Sequence, residues 1–129
     1  MATHKETFKK AERLCSKKEI EDLFENGKSF YCFPCAVVWS LANSDIPVPA
    51  QVAFSVSKKG FRLAVTRNLI KRRMREAWRK NKFLLYDFLK SSEKKIVLTI
   101  IYKESSVIDY IAIENATKEI INKLQKVIG

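Results

Sequence analysis

Histidine occurs once, at His4, so no imidazole pair is available for acid–base or nucleophilic chemistry. There is no GxSxG, no Walker loop and no DxD cluster of nuclease carboxylates. Asp87, Glu93, Glu104 and Asp109 are scattered over separate segments, so no catalytic residue is expected in this chain. Glycine and proline number three each, which excludes a collagenous, elastic or loop-dominated chain. No apolar run approaches the roughly 20 residues of a membrane span. Met1 to Lys10 is polar and charged, without an apolar signal core, so a cytoplasmic location is expected. The three cysteines, Cys15, Cys32 and Cys35, make no disulfide framework. Cys32 and Cys35 are spaced C-x-x-C, but further zinc ligands at suitable spacing are wanting. The pair also precedes an apolar run instead of opening a helix, so packed free thiols are expected over a redox motif.

What remains is enough for a fold. The chain has 129 residues, 47 % of them hydrophobic and 11 % aromatic, which suits one domain spanning 1–129 with its own core. Charge is the dominant feature. Lys58 to Lys82 holds eleven basic residues against the single acid Glu76, so this window carries +10 of the net +11. Charge so concentrated reads as a binding face for a polyanion.

Residues 1 to about 12 lack a period and read as a loose arm. Ser16 to Glu19 is a capping-box pattern. Ile20, Leu23 and Phe24 follow at helical spacing and Gly27 ends the run, which predicts a helix over 17–26. Ser29 to Leu41 reads as one or two strands, with Pro34 at a break or edge. Asn43 to Pro49 is a turn-rich connection. In 51–57, Val52, Phe54 and Val56 alternate with Ala53, Ser55 and Ser57, which predicts a half-buried strand. A long helix is predicted over about 66–90, with Thr66 as N-cap and Ile70, Met74, Ala77, Trp78, Leu85 and Phe88 as its apolar stripe. Ile96 to Tyr102 is apolar throughout, as a central strand would be. A last helix over about 109–128 carries the stripe Ile113, Ala116, Ile120, Ile121, Leu124, Val127 and Ile128. The expected architecture is a two-layer α+β sandwich of order α-β-β-β-α-β-α.

Asn68, Lys71, Arg72, Arg75 and Arg79 share one side of the long helix, opposite its apolar stripe. A solvated helix face normally mixes signs, because like charges at this spacing repel. Here the repulsion is explained by phosphates, and the excess of Arg over Lys favours bidentate contact. Nucleic acid is therefore preferred over an anionic membrane surface. A DNA-binding regulator is disfavoured, because no groove-reading helix start is found. Composition and periodicity leave a ribosomal or assembly protein open.

The stretches Phe54 to Lys59 (FSVSKK) and Ala64 to Arg79 (AVTRNLIKRRMREAWR) resemble the signature of the bacterial ribonuclease P protein subunit. Arg13-Leu14, Phe24, Gly27 and the long final helix extend the likeness over nearly the whole chain. Leu69 stands where the family's second motif arginine is expected, and Gly60 to Leu63 replaces a shorter link. The resemblance implies a ribosomal-protein-like α-β sandwich with a left-handed βαβ crossover. It implies a subunit that assists a catalytic RNA in Mg²⁺-dependent 5′ maturation of precursor tRNA, the ion being bound mainly through the RNA. Carried over, Lys58, Lys59, Arg67, Asn68, Lys71, Arg72, Arg75 and Arg79 would touch the catalytic RNA, with a Mg²⁺ possible near Asn68. Ile20, Phe24, Val38 or Trp39, Ser55, Ser57 and Lys103 would line a cleft for the 5′ leader. Family members often carry an aromatic where Ile20 stands. The implied partners are the catalytic RNA and the precursor leader, with neither membrane nor DNA.

Overall fold

A capped helix packed on a hairpin opens the structure. The computed structural model describes residues 7–42 and 46–129. Helix α1 (Lys17–Asn26) starts where Ser16 Oγ accepts from the Glu19 N–H at 3.3 Å. It ends at Gly27, whose N–H donates to the Leu23 carbonyl at 2.8 Å. Gly27 has ordinary backbone angles, φ −77° and ψ 163°, so its requirement is space. A Cβ there would lie 2.5 Å from the Leu23 carbonyl oxygen and 2.9 Å from Val38 Cγ1. Gly27→Ala is therefore expected to push α1 off the sheet and cost about 1–3 kcal/mol, read from denaturant unfolding. An unchanged midpoint would show that the helix end adjusts freely.

The segment Ser29–Leu41 resolves into a hairpin, β1 (Lys28–Cys32) and β2 (Cys35–Leu41), turning at Phe33-Pro34 with Cys32 opposite Cys35. Both of these thiols are buried, and Cys15 is exposed. Burial, and then the neighbouring Cys32, push the Cys35 thiol up to about 12, so it packs as a neutral group. Strand β3 (Ala50–Val56), helices α2 (Ala64–Asn81) and α3 (Phe83–Ser91), strand β4 (Ile96–Tyr102) and helix α4 (Tyr110–Ile128) complete the chain. The sheet order is β1-β2-β4-β3. β4 runs antiparallel to β2 and parallel to β3, so β3-α2-α3-β4 is a βαβ unit. One sheet face, with Val37, Trp39, Val52, Leu98 and Ile100, is buried with Ile70, Met74 and Trp78 of α2 and Ile113 to Leu124 of α4. On the other face α1 packs on β2 and β4.

Five expectations need correction. The helix predicted over 66–90 is two helices, parted at Lys82, whose side chain is buried against Glu12 and the Thr7 carbonyl. Thr66 is not the N-cap: α2 begins at Ala64 after Leu63, with no side-chain cap. The loop before α2 is tied instead by Arg67, whose guanidinium donates to the carbonyls of Phe61 (2.7 Å) and Arg62 (3.1 Å). Ser57 lies beyond β3 in an exposed turn, its hydroxyl accepting from the Lys59 N–H at 3.2 Å. Val127 is exposed, one residue off the buried stripe of α4. The described part of the arm is not loose either. Lys10–Glu12 forms a 3-10 turn, Glu12 is 4 % exposed, and Phe8 packs edge-on against Phe54 at 5.9 Å. His4 with the rest of 1–6, and the 43–45 part of the predicted turn, lie outside the described residues.

Candidate nucleic-acid interface

The basic face is built by α2, because burying Ile70, Met74, Ala77 and Trp78 turns the remaining positions outward. Asn68, Arg72 and Arg75 are exposed and Lys71 is half-exposed. Lys58 and Lys59 are exposed in the turn between β3 and α2. Among the described residues, none of these five cations has an ion-pair partner. Two of the expected RNA-binding side chains already have protein partners. Arg67 holds the 61–62 loop as described above, so its first role is to shape the turn beside Lys58. Arg79 pairs with Glu76, Nε to Oε2 at 3.1 Å. That hydrogen bond, outweighing burial, holds the Glu76 carboxyl below its ordinary range. Arg73 donates to the Ile108 carbonyl at 2.8 Å and so anchors the loop before α4. Arg72, one residue before it, is exposed and has no ion-pair partner among the described residues.

The second surface is the sheet face under α1. Register places Tyr31, Ala36, Ile101 and Ser55 in one row, and Ser29, Val38, Thr99 and Ala53 in the next. The exposed part of this floor on β2, β3 and β4 bears no charged side chain. Ile20, half-buried, and Phe24, 53 % exposed, stand on the α1 wall. Phe24 is therefore available as a stacking surface and is not core. Val38 faces α1, as its approach to Gly27 shows. Trp39 does not belong to this surface. It points to the opposite face, is 5 % exposed, and lies under Lys28 Nζ at 5.7 Å. Parity decides this: adjacent strand residues point to opposite faces, and Pro34 hides the phase from sequence reading. Ser55 is half-buried on the floor, and Lys103 is exposed just past β4, its N–H donating to the Pro34 carbonyl at 3.0 Å.

Sequence reasoning missed Tyr31, 51 % exposed at the β1 end of the floor. Its spacing of two from Ser29 was the available signal. It also missed Phe8 and Arg13, which with Ile20, Ala53, Phe54 and Arg75 line a groove at the β3 edge. A cation at Asn68 is poorly served by the chain alone. Asn68 offers one amide oxygen beside Arg67, Lys71 and Arg72, and the described residues contain no group of three His, Cys, Asp or Glu able to hold a metal. Mg²⁺ prefers near-octahedral oxygen ligands, so these side chains do not make a site for it on their own. Among the described residues no helix is long and apolar enough to cross a membrane.

A model of the protein family Ribonuclease P matches residues 8–125. The Ribonuclease P protein component of Porphyromonas gingivalis is 36 % identical over 110 residues, covering 85 % of this chain and 80 % of that protein. The component of Petrotoga mobilis is 33 % identical over 123 residues, covering 93 % and 97 %. The solved RNase P protein of Thermotoga maritima superposes with a TM-score of 0.69 at 23 % identity, covering 92 % of this chain and 99 % of that one. That of Staphylococcus aureus gives 0.66 at 22 %, covering 93 % and 100 %. The fold is shared with these structures, the sequence with these components, and the chain belongs to the ribonuclease P protein family.

Proposed function

We propose that this chain is the RNA-binding protein subunit of a cytoplasmic ribonuclease P ribonucleoprotein. It binds the catalytic RNA through α2 and the Lys58-Lys59 turn, and holds the 5′ leader of precursor tRNA on the sheet floor beside α1. The observation that carries this reading is the segregation of the two surfaces. Exposed cations without ion-pair partners among the described residues crowd one helix face, and a floor without charged side chains on β2, β3 and β4 lies around the β3 edge from it. Phosphates neutralise the first surface, with strongly salt-dependent binding. The second receives unstacked bases with little demand on sequence.

The chain's residues position RNA and do not cut it. Hydrolysis of the phosphodiester belongs to the RNA and its Mg²⁺, held mainly by phosphate oxygens. The test is reconstitution with a bacterial catalytic RNA at low Mg²⁺, using precursor tRNAs with long and short leaders. Stimulated cleavage that vanishes without the RNA is expected. Phe24→Leu is expected to weaken binding of long-leader precursor by about 1–3 kcal/mol, the value of one stacked base, and to leave affinity for the catalytic RNA unchanged. Cleavage by the RNA-free protein would reject the role. Equal stimulation of both leaders would reject the cleft.

A further inference from the structure

The groove at the β3 edge lies between the two surfaces described above and shares residues with both. It has a volume of about 530 Å³ and is lined by Phe8, Arg13, Ile20, Ala53, Phe54 and Arg75, with Leu14 and Val52 at its base. Ile20 and Ala53 also border the leader floor. Arg75 belongs to the basic face of α2. A strand passing from the floor at Ile20 and Ala53 to α2 at Arg75 crosses this groove.

Arg13 is unusually well placed for an exposed arginine. Its backbone bridges Val52 in parallel register, and the next residue, Leu14, donates its N–H to the Val52 carbonyl at 3.0 Å. Residues 13 and 14 thus extend the sheet past β3. The guanidinium carbon of Arg13 lies 5.5 Å from the Phe8 ring centroid, and Phe8 is itself packed on Phe54. The acid beside it, Glu12, is turned inward to Lys82 and Tyr86 and does not neutralise it. Arg13 and Arg75 therefore face one groove as two cations, with no ion-pair partner for either among the described residues. Like charges gathered in a groove repel unless an anion joins them, and a planar, stacked guanidinium loses little freedom on gripping phosphate.

We infer that this groove is a phosphodiester clamp, in which Arg13, braced by Phe8, and Arg75 grip the backbone of the leader strand where it leaves the sheet floor toward α2. The inference rests on the leader reading proposed above and adds a site to it. The occupant is the single-stranded leader because the groove continues the floor through Ile20 and Ala53. The clamp grips phosphate, which every leader carries, so little dependence on leader sequence is expected.

The test uses the reconstituted ribonucleoprotein carrying Arg13→Gln, Arg13→Lys or Phe8→Leu. Binding of leader-bearing precursor, mature tRNA and catalytic RNA is measured over a series of salt concentrations. Arg13→Gln is expected to weaken leader-bearing precursor about fivefold or more and to lower its salt slope by about 0.7, the value for one phosphate on a single strand. Mature tRNA and catalytic RNA should bind as before. Arg13→Lys should recover part of the loss, and Phe8→Leu should reproduce part of it without unfolding the chain. A neutral methylphosphonate at the clamped leader position should cause the same loss in the parent complex and none further with Arg13→Gln.

Equal weakening of catalytic RNA or mature tRNA would assign the groove to another RNA segment and overturn the clamp. Loss of all binding together with a lowered melting temperature in every variant would make Arg13 structural, and would equally overturn it. If the parent complex binds precursor and mature tRNA alike, the leader cleft itself fails. If the parent discriminates and Arg13→Gln discriminates equally, only the clamp fails.

Discussion

Lys82→Ala is expected to destabilise the fold by about 3–5 kcal/mol, a large part of the stability of a small domain. The Lys82 ammonium is 3 % exposed and bonds the Glu12 carboxylate and the Thr7 carbonyl. Tyr86 donates its hydroxyl to the same Glu12 oxygen at 2.7 Å, and the Lys9 N–H donates to the other at 2.7 Å. Removing the lysine leaves a buried charge without its counter-ion. The double variant Glu12→Gln with Lys82→Met is expected to lose less than Lys82→Ala alone, because no charge is then stranded. Urea unfolding of the three proteins checks this, and a double variant weaker than the single would refute the account.

The same pair sets a dependence on acid. Burial raises the Glu12 carboxyl, but hydrogen bonds from Lys82, Tyr86 and Lys9, with the charge of Lys82, outweigh it and hold it below the ordinary value of 4.5. A group depressed in the folded state contributes fully above its unfolded pKa. That contribution is lost as pH falls below 4.5 through the folded value. The parent should therefore lose stability below that point more steeply than Glu12→Gln does.

The second large effect concerns RNA. Changing Lys71, Arg72 and Arg75 together to Gln should lower the salt slope of catalytic-RNA binding by about two to three units, about 0.7–0.9 for each phosphate no longer neutralised. The melting temperature should hold or rise slightly, since these side chains have no ion-pair partners among the described residues and repel one another. Arg67→Ala should behave differently. It removes two hydrogen bonds to the loop before α2, so it lowers stability as well as affinity. A large stability loss in the triple variant with an unchanged slope would mark the α2 face as structural.

Local chemistry made several features legible. α1 occupies the predicted 17–26, because its cap and its closing glycine are both short-range signals. The final helix begins one residue after Asp109, whose carboxylate accepts from the Ala112 N–H at 2.9 Å. β4 matches its apolar run residue for residue. The break at Lys82 was not legible, because a lysine inside a helical pattern reads as solvent-facing. Its partner Glu12 lies 70 residues away and in an arm without periodicity. Trp39 was misplaced because alternation gives two faces but not which one is covered. The basic face was evident from charge alone. The groove at Arg13 was not, since it exists only where the arm, β3 and α2 meet.

The strand order β1-β2-β4-β3 has a consequence for synthesis on the ribosome. β4 is last in sequence and bonds both β2 and β3, which do not pair with each other. Until Ile96–Tyr102 leaves the exit tunnel, the nascent chain holds a lone hairpin and an isolated strand, neither of which is stable in water. The floor beside α1 is then missing its middle strand, and α2 has no complete sheet to lie on. Assembly with RNA in its native arrangement must therefore follow emergence of β4, and fragments ending before it are expected to lack the completed sheet.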